Sequence, residues 1–125
     1  MTKILLVGIG GFLGAVSRFG VYTLARYFLS DSFPFATLAI NAVGSASLGL
    51  LFEVFRDHPL LPTMTLFAGI GFLGSFTTFS AFSFETVELW KRGNLQLAAF
   101  NVLGNIVFCL GAVFVGEWVG RFLKS

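Results

Sequence analysis

The chain has 125 residues, of which 56% are hydrophobic and 11% are charged, and its mean hydropathy is +0.89. This composition leaves too little polar surface for a soluble globular domain and supplies enough apolar length for several membrane spans. The formal net charge of +2 comes from scattered residues without a basic run, which argues against a nucleic-acid partner. We therefore expect a multi-pass protein of the cell (inner) membrane, surrounded by the lipid bilayer.

Four hydrophobic segments predict an all-α integral membrane fold, with a single four-span domain over residues 1–125. The expected spans cover residues 4–25, 35–52, 62–88 and 95–119. The one cysteine, Cys109, lies in the fourth span, so an intrachain disulfide is impossible.

The first span carries Arg18 as its only charge. At a rise of about 1.5 Å per residue, Arg18 lies about 21 Å from Ile4, roughly two thirds of the way across a hydrocarbon core of about 30 Å. An arginine at that depth costs about 2.5 to 3.5 kcal/mol on insertion scales unless water, carbonyls or a carboxylate surround it. Arg18 either snorkels to the far interface or lies in an aqueous vestibule, where its charge would gather anions.

The second span carries Asn41 on a polar stripe with Thr37 and Ser45. Its amide must be satisfied in hydrocarbon, and its NH₂ group is a neutral donor that can hold an anion without trapping it. The other interpretation is that Asn41 joins two helices.

The third span contains a stretch that is poor material for an unbroken apolar helix. Glycines at positions 69, 71 and 74 precede the hydroxyls of Ser75, Thr77, Thr78, Ser80 and Ser83. We expect a break over residues 74–78, because backbone freed at membrane depth is tolerated where it lines a polar cavity, and broken helices commonly place ion sites there. The alternative is that the glycines allow close packing while the hydroxyls bond back to the preceding turn.

Further polar residues follow in the third and fourth spans. Glu85 lies one turn deeper than Glu88, where it either pairs with Arg18 or joins a polar track. Asn101 and Asn105 are one turn apart in the fourth span, where polar side chains are expensive and either hold helices together or support the ion path.

The basic residues on the two sides of the membrane are nearly balanced. Four spans put Lys3, Arg56, Arg121 and Lys124 on one side against Arg26, Lys91 and Arg92 on the other. Because Lys and Arg excess sets orientation, we expect the chain to insert both ways round. Four short helices also leave little room to enclose a pathway, so we expect an antiparallel homodimer.

Three motifs resemble those of one family. The third-span stretch Gly74-Ser75-Phe76-Thr77-Thr78-Phe79-Ser80-Ala81-Phe82-Ser83, followed by Glu85, is similar to the signature of the small fluoride channels called Fluc or CrcB. Residues 10–18 and 37–44 resemble the family's first-helix and second-helix motifs, and the length and number of spans agree. Family members often carry Ser, Thr or Tyr hydroxyls on the fourth helix, so Asn101 and Asn105 are a departure from its pattern.

The resemblance implies a dual-topology dimer with two pores and a central structural sodium ion. It implies the backbone carbonyls of Gly74 and Thr77 as sodium ligands in each subunit. Phe79 and Phe82 match the family's paired phenylalanines, whose positive ring edges can line an anion path without strong binding.

Other side chains complete the path that we expect. Asn41, Ser80 and Ser83 would supply hydrogen bonds to the anion, while Arg18, Thr78, Glu85, Asn101 and Asn105 would support the vestibule and its polar walls. The function that the resemblance implies is passive fluoride exit, which lowers the toxicity of fluoride in the cytoplasm.

Two other classes of protein fit some of these features. A small multidrug-type proton-coupled exporter has four spans and dual topology, but it needs a carboxylate in span one, which offers only Arg18. A non-transporting membrane helper subunit would explain the small residues but not Asn41, Arg18 or the broken span. No nucleophile, acid–base pair or phosphate loop is left over in the sequence, so we expect a channel and not an enzyme.

Overall fold

The computed structural model of the protein describes residues 1–29 and 32–124, and over these residues the fold is all helical. The predicted all-α class is confirmed. The elements are α1 (Thr2–Phe28), α2 (Phe35–Phe55), α3 (Leu61–Met64), a wide helical segment (Thr65–Leu73), α4 (Gly74–Phe76), α5 (Phe79–Lys91) and α6 (Leu95–Lys124).

Four stretches of the described chain are long and apolar enough to cross a membrane. They are Thr2–Phe28, Phe35–Phe55, Leu61–Lys91 and Leu95–Lys124. The helices extend past the predicted span ends, by three residues in α1 and α2 and by five in α6, because they continue into polar residues at the membrane surface that an apolar pattern does not include.

The third span is built from four pieces and is broken near its middle, as the sequence predicted. The break is narrower than residues 74–78, since α4 continues to Phe76 and only Thr77 and Thr78 are extended, with ψ angles of 158° and 111°. The wide segment Thr65–Leu73 is wound as a π-helix, which the sequence did not predict. π-Helical segments are rare in proteins. Where they occur, they are often found at functional sites.

Glycines allow the helices to approach at backbone distance. A methyl group at Gly14 of α1 would clash with the carbonyl oxygen of Phe72, and one at Gly116 of α6 would clash with that of Ala46 in α2. As a result α1 packs on the wide segment and α4, while α2 packs along α6. The broken third span is thereby placed beside α1 and α2.

The interior of this fold contains polar as well as apolar side chains, and its outside is largely apolar. Among the described residues, the largest side chains that are less than 2% exposed are Ile40, Asn101 and Thr37. Large apolar side chains face outward along every span, for example Phe12 on α1 and Phe114 on α6. This inversion of the soluble pattern is what a bilayer environment requires.

Candidate functional site

The break in the third span is stabilised by the side-chain amide of Asn41. The Thr78 backbone N–H donates to Asn41 Oδ1 at 2.8 Å, and Asn41 Nδ2 donates to the Thr78 carbonyl at 3.2 Å. In a continuous helix the Thr78 N–H would bond the Gly74 carbonyl instead. One amide group thus satisfies both peptide groups of the residue where the helix opens.

Arg18 supports the same break from the α1 side. Its Nη1 donates to the Thr77 carbonyl at 3.2 Å. That carbonyl would accept from the Ala81 N–H in a continuous helix, but the Ala81 N–H bonds the Thr78 hydroxyl, which caps α5. Arg18 is half-buried and turned toward the protein, which favours the vestibule interpretation over snorkelling.

The two carbonyls expected to hold a cation are therefore in different situations. The Thr77 carbonyl accepts from Arg18 and keeps a second lone pair. The Gly74 carbonyl has lost its helix partner, since the Thr78 N–H is bonded to Asn41. Gly74 itself is exposed at the surface of the chain.

A groove of about 350 Å³ opens beside the break. Its polar wall includes Asn41, Thr78 and Asn105, and its apolar wall includes Phe79 and Phe82. The two rings lie 5.3 Å apart at a tilt of 52°, and Phe79 is 79% exposed. The predicted phenylalanines and the predicted amide therefore share one open groove.

Two further cavities lead toward the break from one side of the membrane. The outer one, of about 300 Å³, is lined by Arg26 and Arg92, and the inner one by Arg18 and Ser80. Tyr22, Phe84 and Glu85 line both cavities. These three side chains form the wall between the outer and inner cavity.

Glu85 belongs to a polar chain with α2. Thr37 Oγ1 donates to Glu85 Oε1 at 2.6 Å, and the Tyr22 hydroxyl lies 2.8 Å from Thr37 Oγ1. Within the described residues Glu85 makes no ion pair with Arg18, and its buried Oε2 has no hydrogen-bond partner. The sequence allowed Glu85 to pair with Arg18 or to join a polar track. The structure shows Glu85 in the polar chain with Thr37 and Tyr22.

Asn101 and Asn105 are buried between α2, α5 and α6, with exposures of 0% and 7%. Asn105 Oδ1 accepts from Asn41 Nδ2 at 3.0 Å, and Asn105 Nδ2 donates to the Asn101 carbonyl and to Asn101 Oδ1. Asn101 Nδ2 in turn donates to Thr86 Oγ1 at 2.9 Å. The two asparagines are therefore connected to Asn41 and not isolated in the fourth span.

The serines after the break lie differently from one another. Ser80 Oγ is 3.2 Å from Thr78 Oγ1 and is exposed toward the inner cavity. Ser83 donates its hydroxyl hydrogen to the Phe79 carbonyl at 2.9 Å. Ser80 is thus placed beside the break, whereas Ser83 bonds back to its own helix.

Sequence reasoning left out three residues that the structure connects to this site. Thr37 was visible on the polar stripe with Asn41, and Tyr22 lies one turn after Arg18, so spacing could have suggested both. Thr86 gave no such signal, because its role depends on how α5 packs against α6.

The protein is a multi-pass membrane protein with four helices long enough to cross a membrane. Its third span is broken, and Asn41 and Arg18 bond the backbone groups at the break. The chain belongs to the CrcB family. The family model described as "CrcB-like protein, Camphor Resistance (CrcB)" matches residues 5–117.

Relatives of similar length carry the name "Fluoride-specific ion channel FluC". One from Dehalococcoides mccartyi is 42% identical over 126 residues, covering 100% of this chain and 97% of that protein. One from Idiomarina loihiensis is 44% identical over 108 residues, covering 86% and 84%. One from Campylobacter jejuni is 40% identical over 116 residues, covering 93% and 95%.

Proposed function

We propose that the protein is a fluoride-selective channel through which fluoride leaves the cytoplasm passively. The observation that carries this proposal is the groove at the break, which a neutral amide, Asn41, lines together with Phe79 and Phe82. The relatives named as fluoride-specific channels align over nearly the whole chain, which supports the same function.

The groove carries neutral hydrogen-bond donors and aromatic rings, which suit weak and reversible binding of a small anion. Asn41 supplies N–H groups, and Phe79 and Phe82 supply ring edges with partial positive charge. A fixed cation in the groove would hold fluoride strongly, whereas neutral donors bind it weakly enough for it to leave. Arg18 lies outside this groove, on the inner cavity, where its charge raises the local anion concentration.

Entry would proceed through the outer cavity, past the wall of Tyr22, Phe84 and Glu85, and on to Arg18 and Ser80. The exposed hydroxyl of Ser80 beside Thr78 offers the next hydrogen bond. Asn41 and the phenylalanine pair follow. Ser83 contributes if its hydroxyl turns from the Phe79 carbonyl toward the ion.

The functional unit that we propose is an antiparallel homodimer in the cell (inner) membrane. One chain leaves the groove open and Phe79 79% exposed, so a second copy is needed to close the path. Four basic residues on one side against three on the other give little preference for either orientation. Both features favour two copies inserted in opposite directions.

A structural sodium ion fits the carbonyls at the break. Gly74 O lacks its helix partner and Thr77 O has a lone pair to spare, so each chain can offer two hard oxygen ligands. Two chains would offer four, and a sodium ion would satisfy carbonyls that are costly to leave unpaired in a membrane. This sodium ion would stay bound and have a structural role, whereas fluoride would pass along the groove residues.

The exporter and helper-subunit alternatives are less consistent with the arrangement. A proton-coupled exporter needs an ionisable carboxylate on the first span, whereas Glu85, which lines a cavity with Arg18 of that span, lies on the third span and bonds Thr37. The test that separates the three classes is efflux of fluoride or chloride from proteoliposomes without a proton gradient. A channel releases fluoride, an exporter requires the gradient, and a helper subunit releases neither.

A further inference from the structure

A chain of hydrogen bonds runs from the groove into the protein, and all of its members donate in the same direction. Asn41 donates to Asn105, Asn105 donates to Asn101, and Asn101 donates to Thr86. Thr86 then donates to the Phe82 carbonyl at 2.8 Å. We call Asn105, Asn101 and Thr86 the amide relay.

Both ends of this chain are chemically fixed. At the groove end, the Thr78 backbone N–H can only donate, so Asn41 must turn its Oδ1 toward it and its NH₂ group toward Asn105. At the far end, the Thr86 hydroxyl donates its hydrogen to the Phe82 carbonyl, which leaves its oxygen to accept from Asn101. The orientation of every amide between these ends follows.

The relay has a consequence for the groove because the Asn105 NH₂ group donates to Asn101. Its Nδ2 lies 3.0 Å from the Asn101 carbonyl and 3.1 Å from Asn101 Oδ1. Asn105 therefore presents only an oxygen toward Asn41 and the groove. A fluoride ion at this point can accept a hydrogen bond from one N–H of Asn41. To do so it replaces the neutral Asn105 oxygen that accepts from this N–H.

We propose that Asn101 and Thr86 are positioning residues that keep fluoride binding weak by holding the Asn105 NH₂ group away from the path. This inference rests on the proposed fluoride conduction. If the relay is broken, Asn105 can rotate and add a second amide donor to the groove. Fluoride then binds more tightly and leaves more slowly, because conduction needs sites that are weak enough to release the ion.

The test uses the full-length protein in proteoliposomes and measures both the maximum fluoride flux and the half-saturating fluoride concentration. T86V removes the hydroxyl at nearly constant shape, and T86S keeps it as the matched control. In T86V the half-saturating concentration falls about fivefold to tenfold, the effect of about one added hydrogen bond, and the maximum flux falls with it. T86S behaves as the wild type, and N101L shifts in the same direction as T86V.

This pattern separates positioning from a loss of stability. A variant that merely folds less well has fewer active channels, so its maximum flux falls while its half-saturating concentration stays the same. In an N105L background the second donor is absent, so T86V leaves the half-saturating concentration unchanged. If T86V alters that concentration equally in both backgrounds, alters neither, or raises it, the relay is wrong. If the wild type releases no fluoride, the proposed function is wrong instead.

Discussion

The side-chain amide of Asn41 is bonded to both backbone groups of Thr78, at 2.8 Å from the N–H and 3.2 Å from the carbonyl. A peptide unit released from a helix inside a membrane needs both partners, and here a single neutral side chain provides them. The same amide faces the groove, so the group that holds the helix open is also the group available to an anion.

Changing Asn41 should therefore affect stability and flux together. N41L leaves the Thr78 N–H and carbonyl unpartnered, at about 1 to 3 kcal/mol each, and we expect a large loss of thermal stability in detergent. N41D keeps an acceptor for the Thr78 N–H but places a negative charge in the groove. We expect its fluoride flux to fall about tenfold or more, which corresponds to about 1.4 kcal/mol on the barrier.

The control for both Asn41 variants is S47A on the same helix. Ser47 bonds back to the Val43 carbonyl and is not part of the groove lining, so its loss should leave flux and stability near the wild type. Wild-type flux in N41D would mean that Asn41 has no part in the path.

The phenylalanine pair should control flux without controlling assembly. F79I or F82I removes a positive ring edge at similar apolarity, so fluoride flux should fall sharply while the dimer survives on size-exclusion chromatography. F114I is the matched control, since Phe114 is 68% exposed on α6 and lies outside the groove lining. If F79I and F82I conduct like F114I, the pair is only packing.

Orientation should respond to a small change in charge. Adding two lysines after Lys3 changes the basic balance from four against three to six against three, and most copies should then insert one way round. Fewer antiparallel pairs can form, so flux should fall. A C-terminal tag scored for accessibility from both sides checks this, and a wild-type chain found wholly in one orientation would contradict dual insertion.

The break should also depend on sodium. Replacing sodium with a bulky organic cation throughout purification and assay should lower dimer stability or flux, because the freed carbonyls would lose the ion that we propose they bind. Gly74 has helical dihedral angles (φ −64°, ψ −29°), and a methyl group there would meet only the Gly69 carbonyl, at 3.6 Å, so G74A fits within a single chain. We expect G74A to weaken the dimer more than loss of the Thr77 side chain in T77A, since Gly74 is exposed and the added methyl group would stand beside a carbonyl that we propose as a sodium ligand.

If sodium replacement leaves both flux and dimer stability unchanged, the carbonyls hold no ion. The Thr77 hydroxyl bonds the Leu73 carbonyl at 2.9 Å, so T77A still removes one hydrogen bond and sets the size of a purely local effect.

The sequence predicted the number of spans and the break because both depend on local composition. Apolar runs define the helices, and glycines followed by hydroxyls at positions 74–78 mark where a helix opens. The π-wound segment 65–73, which α1 approaches closely at Gly14, was not predicted from local composition.

The sequence predicted which residues belong to the site, but not which hydrogen bonds they make with one another. Asn41, Asn105 and Phe79 could be selected as polar or aromatic residues at membrane depth, yet nothing local shows that Asn41 would bond Thr78. Residues 41 and 78 lie on different spans, and their pairing is fixed only when the spans pack. The same reason hid the role of Thr86, whose partner Asn101 comes from α6.

The most direct test of the proposed function is anion release from proteoliposomes of the purified protein. Vesicles loaded with either fluoride or chloride are diluted into anion-free buffer at equal pH on both sides, and efflux is followed with ion-selective electrodes. We predict rapid fluoride release, little chloride release, and no release of either ion from empty liposomes. Equal release of both anions, or fluoride release only when a proton gradient is imposed, would contradict a fluoride-selective channel.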